Sequence, residues 1–388
     1  MTARLAATAL MLGNLVIGLS VMAPAGMLNE LVAGLDVTIR DAGLLVTFGA
    51  VVLCFGSPLM AWATTRIERR MLLAVTLAIL AAGHIASAFA PDYATLLILR
   101  LVMLAVAAVF TPQAASTIAE IVPVAKRAGA ISFVFLGWSL AVALGLPLVT
   151  FLAAHGGWRV TYGALGALAA VSSVLVAFGV PSGLKGTAMS LRDWGAIMQS
   201  RKIVLLLLIT LIATAGQFMI FVYFGPLLAR LVEAGPQTIA MFFAAGGIMG
   251  FVGNVLATRV VGRIGAFRTS VASIVLMLLG MLIWSVGAGL LWIMAAGTLI
   301  MGLGFASANS MQQARLAAAA PRLSSATIAL NTSAIYVGQA LGSFLGGELF
   351  TQGYVVSMNY VGTALLAVAL LVLLMTRDQT RAARPVAA

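Results

Sequence analysis

Side chains able to do acid–base, nucleophilic or metal chemistry are few in this sequence and scattered. Two histidines, His84 and His155, stand far apart, the single Cys54 lies inside an apolar run, and 388 residues hold only 10 carboxylates. No intrachain disulfide or cysteine-based metal site can be built from this set. Covalent or metal-assisted catalysis needs a nucleophile with a positioned base, or a ligand cluster. Neither spacing occurs, so an enzyme is not expected, and no catalytic residue, metal or cofactor is assigned. What the chain does hold is polar side chains inside apolar stretches: Asn14, Arg100, Gln113, Gln217, Tyr223, Asn309, Gln312, Asn331, Tyr336 and Gln339. Such groups have no use facing hydrocarbon; they bond between helices or line a cavity that takes a small molecule. Phe218, Phe221 and Phe224 would add apolar walls to such a cavity or simply pack.

Proton-driven chemistry would need a group that takes up a proton on one side and releases it on the other. No acid falls at the middle of an apolar stretch. Glu30 and Asp41 flank the first turn, Glu120 closes the fourth stretch and Glu348 the eleventh, so the coupling candidates are Glu30, Asp41, His84 and Arg100. Arg100 lies about seven residues into the fourth stretch, roughly 10 Å along a helix axis. A charge there is costly unless it meets a partner or a cavity, or its long side chain reaches the headgroups.

The elements that must position these groups follow from composition. The chain is 62% hydrophobic and 8% charged, with a mean hydropathy of +1.13, where an ordinary soluble domain is about 25% charged. Its solvent is lipid, and unbroken apolar runs select helices over a barrel. Runs of about 20 residues predict spans near 5–28, 42–63, 71–90, 94–118, 129–153 and 160–180, then 203–229, 238–260, 268–288, 290–314, 325–349 and 355–376. The first could be mistaken for a signal peptide ending at Ala23-Pro24-Ala25, but it is long enough to span and has a counterpart in the second half. The expectation is an all-α polytopic membrane protein of twelve transmembrane helices in two six-helix bundles, 1–180 and 203–388, joined by a polar linker, 181–202. Offsetting the sequence by 197 positions superposes Gly49 on Gly246, Gly56 on Gly253, Arg66 on Arg263 and Ile67 on Ile264. With both termini in the cytoplasm, all but four of the 22 Lys and Arg (Arg40, Arg100, Arg159 and Arg230) fall on that side, as the positive-inside rule requires. The formal charge of +12 is thus a topology signal, and no nucleic-acid partner is implied.

The segment Gly56-Ser57-Pro58-Leu59-Met60-Ala61-Trp62-Ala63-Thr64-Thr65-Arg66-Ile67-Glu68-Arg69-Arg70 resembles the signature between the second and third helices of the major facilitator superfamily. Arg66, Arg69 and Arg70 match; Ala61 and Thr65 replace the usual glycine and aspartate. The resemblance covers essentially the whole chain and is nearest to the bacterial drug/sugar efflux group of proton-coupled antiporters. It implies that Arg66, Arg69, Arg70 and Arg263 form a latch at the basic end, against plain positive-inside anchoring. It also implies that Arg100 is the fixed charge of a fourth-helix motif, and that Gly145 and Pro147, after Gly137-Trp138, belong to a weakened antiporter motif.

These readings lead to a secondary transporter in the bacterial inner membrane. It would be a monomer that exports a small drug, sugar or metabolite by alternating access, with protons as the driving ion. Uptake or facilitated movement is the nearest rival, and a sensor that kept the fold but lost transport is the rival of another class.

Overall fold

The structure is a computed structural model that describes residues 2–64, 67–123, 127–184, 199–320 and 324–377. Within them the chain runs α1 (Thr2–Gly26), α2 (Leu28–Leu35), α3 (Ile39–Ala63), α4 (Arg69–Ala88), α5 (Tyr93–Ala107), α6 (Phe110–Ile121), α7 (Arg127–Leu140), a π turn (Ala141–Gly145) and α8 (Leu146–Gly179). After the linker come α9 (Arg201–Phe221), α10 (Phe224–Val232), α11 (Pro236–Val286), α12 (Leu291–Ala319), α13 (Ser324–Thr351) and α14 (Val355–Met375). Most of the expected linker lies outside the described residues.

Nine helical stretches among the described residues are long and apolar enough to cross a bilayer. Two of them, 130–179 and 236–286, are each a pair of spans joined through one glycine, Gly157 (φ 81°, ψ 164°) and Gly265 (φ 83°, ψ 159°). That backbone region is open essentially to glycine alone, which is why one residue can do the work of a loop at both places. With α13, whose 28 residues are too polar for the apolar set but ample in length, the spans number twelve.

Prolines shape the helices they occupy, because each removes a donor and crowds the carbonyl four residues before it. Pro112 accompanies the break at Ala108–Val109 that divides the fourth span into α5 and α6. Pro147 follows the π turn in the fifth span. At the helix starts, Thr38 and Asp41 cap α3 reciprocally: Thr38 Oγ1 donates to Asp41 Oδ2 at 2.7 Å and accepts from the Asp41 N–H at 3.1 Å. Asp92 caps α5 by accepting from the Thr95 N–H at 2.8 Å, and that bond holds its carboxyl below the ordinary value.

Large apolar side chains such as Phe55, Phe89, Phe178 and Trp292 are exposed, as befits a surface bathed in lipid tails. Without a hydrophobic drive between helices, close packing depends on small residues. In the first half α1 packs on α7 and α8, and α4 on α8; in the second, α9 packs on α13 and α14, and α11 on α12. The two halves meet chiefly where α3 lies on α13 and where α11 lies on the π turn and α8.

The α11–α12 crossing is the tightest case. A Cβ on Gly253 would fall 2.6 Å from the carbonyl carbon of Leu303 and closer still to its oxygen, whereas one on Gly163 would meet nothing within 4 Å. We therefore expect Gly253→Ala to cost about 1–3 kcal/mol through overpacking, seen as a lower melting temperature in detergent. Gly163→Ala should leave stability unchanged or raise it by up to about 1 kcal/mol. Equal effects of the two would refute this account of the crossing.

Candidate functional site

In the first half the buried Ser20 and His84 gather at Arg100, which is 1% exposed. Its Nε donates to the Leu45 carbonyl at 2.6 Å, Nη1 to the Ser20 carbonyl at 2.8 Å and Nη2 to the Val21 carbonyl at 2.8 Å. One guanidinium thus ties α5 to α1 and α3. The choice of acceptors has a cause in the sequence. Pro24 has no N–H, so the Ser20 carbonyl four residues earlier lacks its helical donor, and Arg100 supplies one. Beside it Gly49 makes room for Leu104, since a Cβ there would lie 2.6 Å from the Leu104 side chain.

Ser20 is also where His84 arrives. Its Nε2 lies 2.7 Å from Ser20 Oγ, which donates in turn to the Val16 carbonyl at 2.8 Å. A hydroxyl already donating to Val16 accepts from His84, which places the imidazole proton on Nε2. The other ring nitrogen, Nδ1, and the Tyr162 hydroxyl are both buried without a hydrogen-bond partner, and the two rings stack with centroids 5.8 Å apart. His84 and Arg100 are therefore held by the side chain and the carbonyl of one residue.

The remaining cavity candidates divide between two clusters and a few separate positions. Asn14 donates from Nδ2 to the Val134 carbonyl at 3.1 Å and accepts from Thr111 Oγ1 at 2.8 Å; Trp138 Nε1 donates to the same hydroxyl at 3.3 Å. In the second half Thr210 Oγ1 donates to Asn331 Oδ1 at 2.7 Å and Asn331 Nδ2 to Asn309 Oδ1 at 3.3 Å, while Gln312 Nε2 donates to the Leu206 carbonyl at 3.1 Å. Asn309 is exposed and Gln113 half-buried. Tyr336 is buried. Gln217 reaches the Met277 sulfur at 3.3 Å, and Gln339 is buried with its Nε2 unpartnered.

Contact between the halves is polar and small-residue in kind. Thr47 Oγ1 donates to Ser343 Oγ at 2.9 Å and Ser343 Oγ to the Gly43 carbonyl at 3.2 Å, while within the second half the Tyr223 hydroxyl donates to the Ser343 carbonyl at 2.8 Å. Arg40 pairs with Glu348 at the helix ends, and further along Ser333 Oγ donates to the Cys54 carbonyl at 3.3 Å. Beside α11, a Cβ on Gly247 would lie 2.8 Å from the backbone nitrogen of Ala143, in the π turn. Gly145, the last residue of the turn that meets α11, abuts Leu19, and Pro147 follows it. An aromatic group in the second half, Phe221, Phe243 and Phe305, lies alongside, its centroids 5.7–5.8 Å from that of Phe221. Sequence reasoning took Phe221 as a wall but missed Phe243, Phe305, Thr47 and Ser343. The Gly246-Gly247 pair beside Phe243 was the available signal.

Of the latch residues, Arg66 lies outside the described residues. Arg69 is 4% exposed; its Nη2 pairs with Glu120 at 3.1 Å and its Nη1 donates to Ser116 at 2.7 Å. Its carboxylate partner thus belongs to the same half. Arg70 Nε lies 3.9 Å from Glu68, and Arg263 is exposed. Among the coupling carboxylates, Asp41 is the α3 cap described above, and Glu30 sits in α2 between the first two spans, where burial raises its carboxyl above the ordinary value.

The Major Facilitator Superfamily model matches residues 10–321 and 206–388. The chain is 30% identical over 377 residues to "Inner membrane transport protein YdhP" of Escherichia coli (strain K12), covering 95% of each chain. It is 25% identical over 348 residues to "Probable sugar efflux transporter" of Mannheimia succiniciproducens, covering 90% of this chain and 87% of that one. Among solved structures it resembles a D-xylose-proton symporter, with a TM-score of 0.80 at 15% identity over 98% of this chain and 99% of the other. It also resembles an inward-facing bacterial homolog of the human lysosomal transporter Spinster, with a TM-score of 0.71 at 14% identity over 97% and 95% of the two chains.

Removing Arg100 leaves the Ser20 carbonyl without a donor and takes a second donor from the Leu45 and Val21 carbonyls, so Arg100→Met should cost about 1–3 kcal/mol in detergent unfolding. Pro24→Ala restores an N–H for the Ser20 carbonyl. It should therefore be more favourable by about 1 kcal/mol in the Arg100→Met background than in the wild type. Additive effects of the two substitutions would show that Arg100 and Pro24 do not share that carbonyl.

Proposed function

The chain belongs to the major facilitator superfamily, and from that premise we propose that it is a proton-coupled exporter of a small, neutral organic molecule in the bacterial inner membrane. The two six-helix halves, 1–180 and 203–388, rock about the cleft between them, with both termini and the basic turns on the cytoplasmic side. Such motion needs an interface that parts without leaving stranded charges. The observation that carries the reading is the character of that interface: Thr47, Gly43 and Ser343 on one seam and Gly247 against Ala143 on the other, with Arg40–Glu348 the ion pair across it among the described residues. Hydroxyls and bare backbone can be rewetted at little cost, and a partly exposed ion pair contributes no more than about 1 kcal/mol.

The clusters around Asn14 and Asn331, with the phenylalanines between them, offer amides, hydroxyls and apolar faces. That chemistry suits an uncharged molecule with a few polar groups. Export is favoured because the efflux name of the Mannheimia relative joins the sequence resemblance to the efflux group. For protons, His84 is the buried imidazole of the spans, and it has an unpartnered nitrogen that can take one up.

One observation favours a second reading. No carboxylate is among the buried side chains described, and the buried ionisable groups Arg69, His84, Arg100 and Arg315 include three permanent cations. A proton on His84 would place a second positive charge on the residue that already holds Arg100. Facilitated movement without protons follows if that site never charges.

In a Cys54→Ser background, cysteines at 47 and 343 would place their sulfurs within reach of each other, as Thr47 Oγ1 and Ser343 Oγ are 2.9 Å apart. In proteoliposomes loaded with chloramphenicol, labelled xylose or isopropyl thiogalactoside, oxidation should stop export of whichever compound the unlocked protein moves, and reduction should restore it. Undiminished export through a fully cross-linked protein would end the alternating-access reading. A proton gradient should speed export at least tenfold, and His84→Gln should abolish that gain while leaving gradient-free movement intact. Rates indifferent to the gradient in the unsubstituted protein would establish facilitated movement instead.

A further inference from the structure

The basic end of the second half holds an open cavity of about 770 Å³. It is bounded by the start of α9, the turn after Gly265 and the ends of α12 and α14. Four of its lining residues are bases, Lys202, Arg268, Arg315 and Arg377, and no carboxylate lines it among the described residues. Two helical segments begin here and three end here, and the exposed charges are those of the side chains.

Arg315 is built into the wall. It is 7% exposed; its Nη1 donates to Gln312 Oε1 at 3.1 Å, its Nη2 to Thr376 Oγ1 at 2.7 Å, and its guanidinium lies 5.3 Å over the Phe267 ring. This arrangement fixes a charge at the back of the cavity, while Lys202, Arg268 and Arg377 are exposed around it. Arg268 and Arg377 stand exposed beside the fixed Arg315, and guanidiniums match the oxygens of phosphate in particular. The wall is also partly apolar: Leu206 and Val271 line it, and Leu374 and Ile264 are exposed at its edge.

We propose that this cavity binds a phosphate-bearing anion, either the headgroup of an acidic phospholipid or a free phosphate ester. The mixed lining accommodates both a charged head and the first carbons attached to it. Basic pockets between helix ends at the membrane surface are suited to lipid phosphate, with each base contributing roughly a fivefold gain in affinity. The site stands whether or not the cleft transports, because it is read from binding alone.

The test uses the purified full-length protein in detergent, titrated with phosphatidylglycerol, phosphatidylcholine or glycerol 3-phosphate, and followed by thermal unfolding and native mass spectrometry. Phosphatidylglycerol should bind the wild type tightly and raise its melting temperature. The double variant Arg268→Gln/Arg377→Gln, at two exposed positions, should bind it roughly 25-fold more weakly. A charge-matched control, Arg259→Gln/Arg263→Gln, removes bases from the same end of the molecule but not from the cavity, and should bind like the wild type. If glycerol 3-phosphate reproduces the shift with the same dependence on Arg268 and Arg377, the site is confirmed with a soluble ester as its ligand. Equal affinity in both double variants, or equal effects of phosphatidylcholine and phosphatidylglycerol, would overturn the proposal.

Discussion

A permanent charge inside hydrocarbon must be surrounded by dipoles, and the first half of this protein is organised around that necessity. Arg100 cannot lose its proton, and its guanidinium presents donors in a fixed plane. Three backbone carbonyls from two helices meet it, one of them left free by Pro24. The arrangement solves two problems at once, since neither the cation nor the orphaned carbonyl is tolerable alone in a low-dielectric interior. It also sets the spacing of α1, α3 and α5, and so the place of His84, which reaches the same serine. Where the 197-residue offset carries Arg100, it finds Gly297, and that glycine instead packs within 2.8 Å of the Gly280 backbone, counted from an added Cβ.

That difference shows what was legible in the sequence. Hydropathy alone places all twelve spans, because lipid demands long apolar helices whatever their packing. Boundaries differ for local reasons: the fourth span breaks at Ala108–Val109 under Pro112, and the seventh turns at Val222–Tyr223 before α10. Partner identity was not legible. Arg100 was expected to face carboxylates, substrate or headgroups, and it faces carbonyls, which every residue carries and no sequence pattern marks. Asp41 resembled a coupling acid and is bonded as a helix cap, a role the Thr38-x-x-Asp41 spacing could have signalled. Gly145 and Pro147 were singled out by motif, yet what makes them matter is the π turn before Pro147 and its backbone contact with Gly247, which depends on a helix more than a hundred residues away.

The polar candidates behave alike in one respect. Most are bonded to something nearby: Asn14 to Val134 and Thr111, Asn331 to Thr210 and Asn309, Tyr223 to Ser343. A transporter's cleft must present polar atoms to its cargo and still satisfy them when empty, and short clusters of amides and hydroxyls do this because they can exchange partners. The neutrality of these clusters contrasts with the cationic cavity next to them, whose wall residues Arg315 and Leu206 bond to Gln312, so one bundle holds two environments suited to different ligands.

The single-glycine joints at Gly157 and Gly265 have a mechanical consequence. A connection of one residue has no slack, so the fifth and sixth spans, and likewise the eighth and ninth, form stiff forks whose prongs cannot travel independently. Force applied to one prong is delivered to the other with almost no compliance at the joint. Any bending must therefore be absorbed inside the prongs themselves, and the π turn at Ala141–Gly145 is the irregular place in the first fork where a helix can give way without breaking its connection. The soft element of that lever is thus the segment that touches the opposite half.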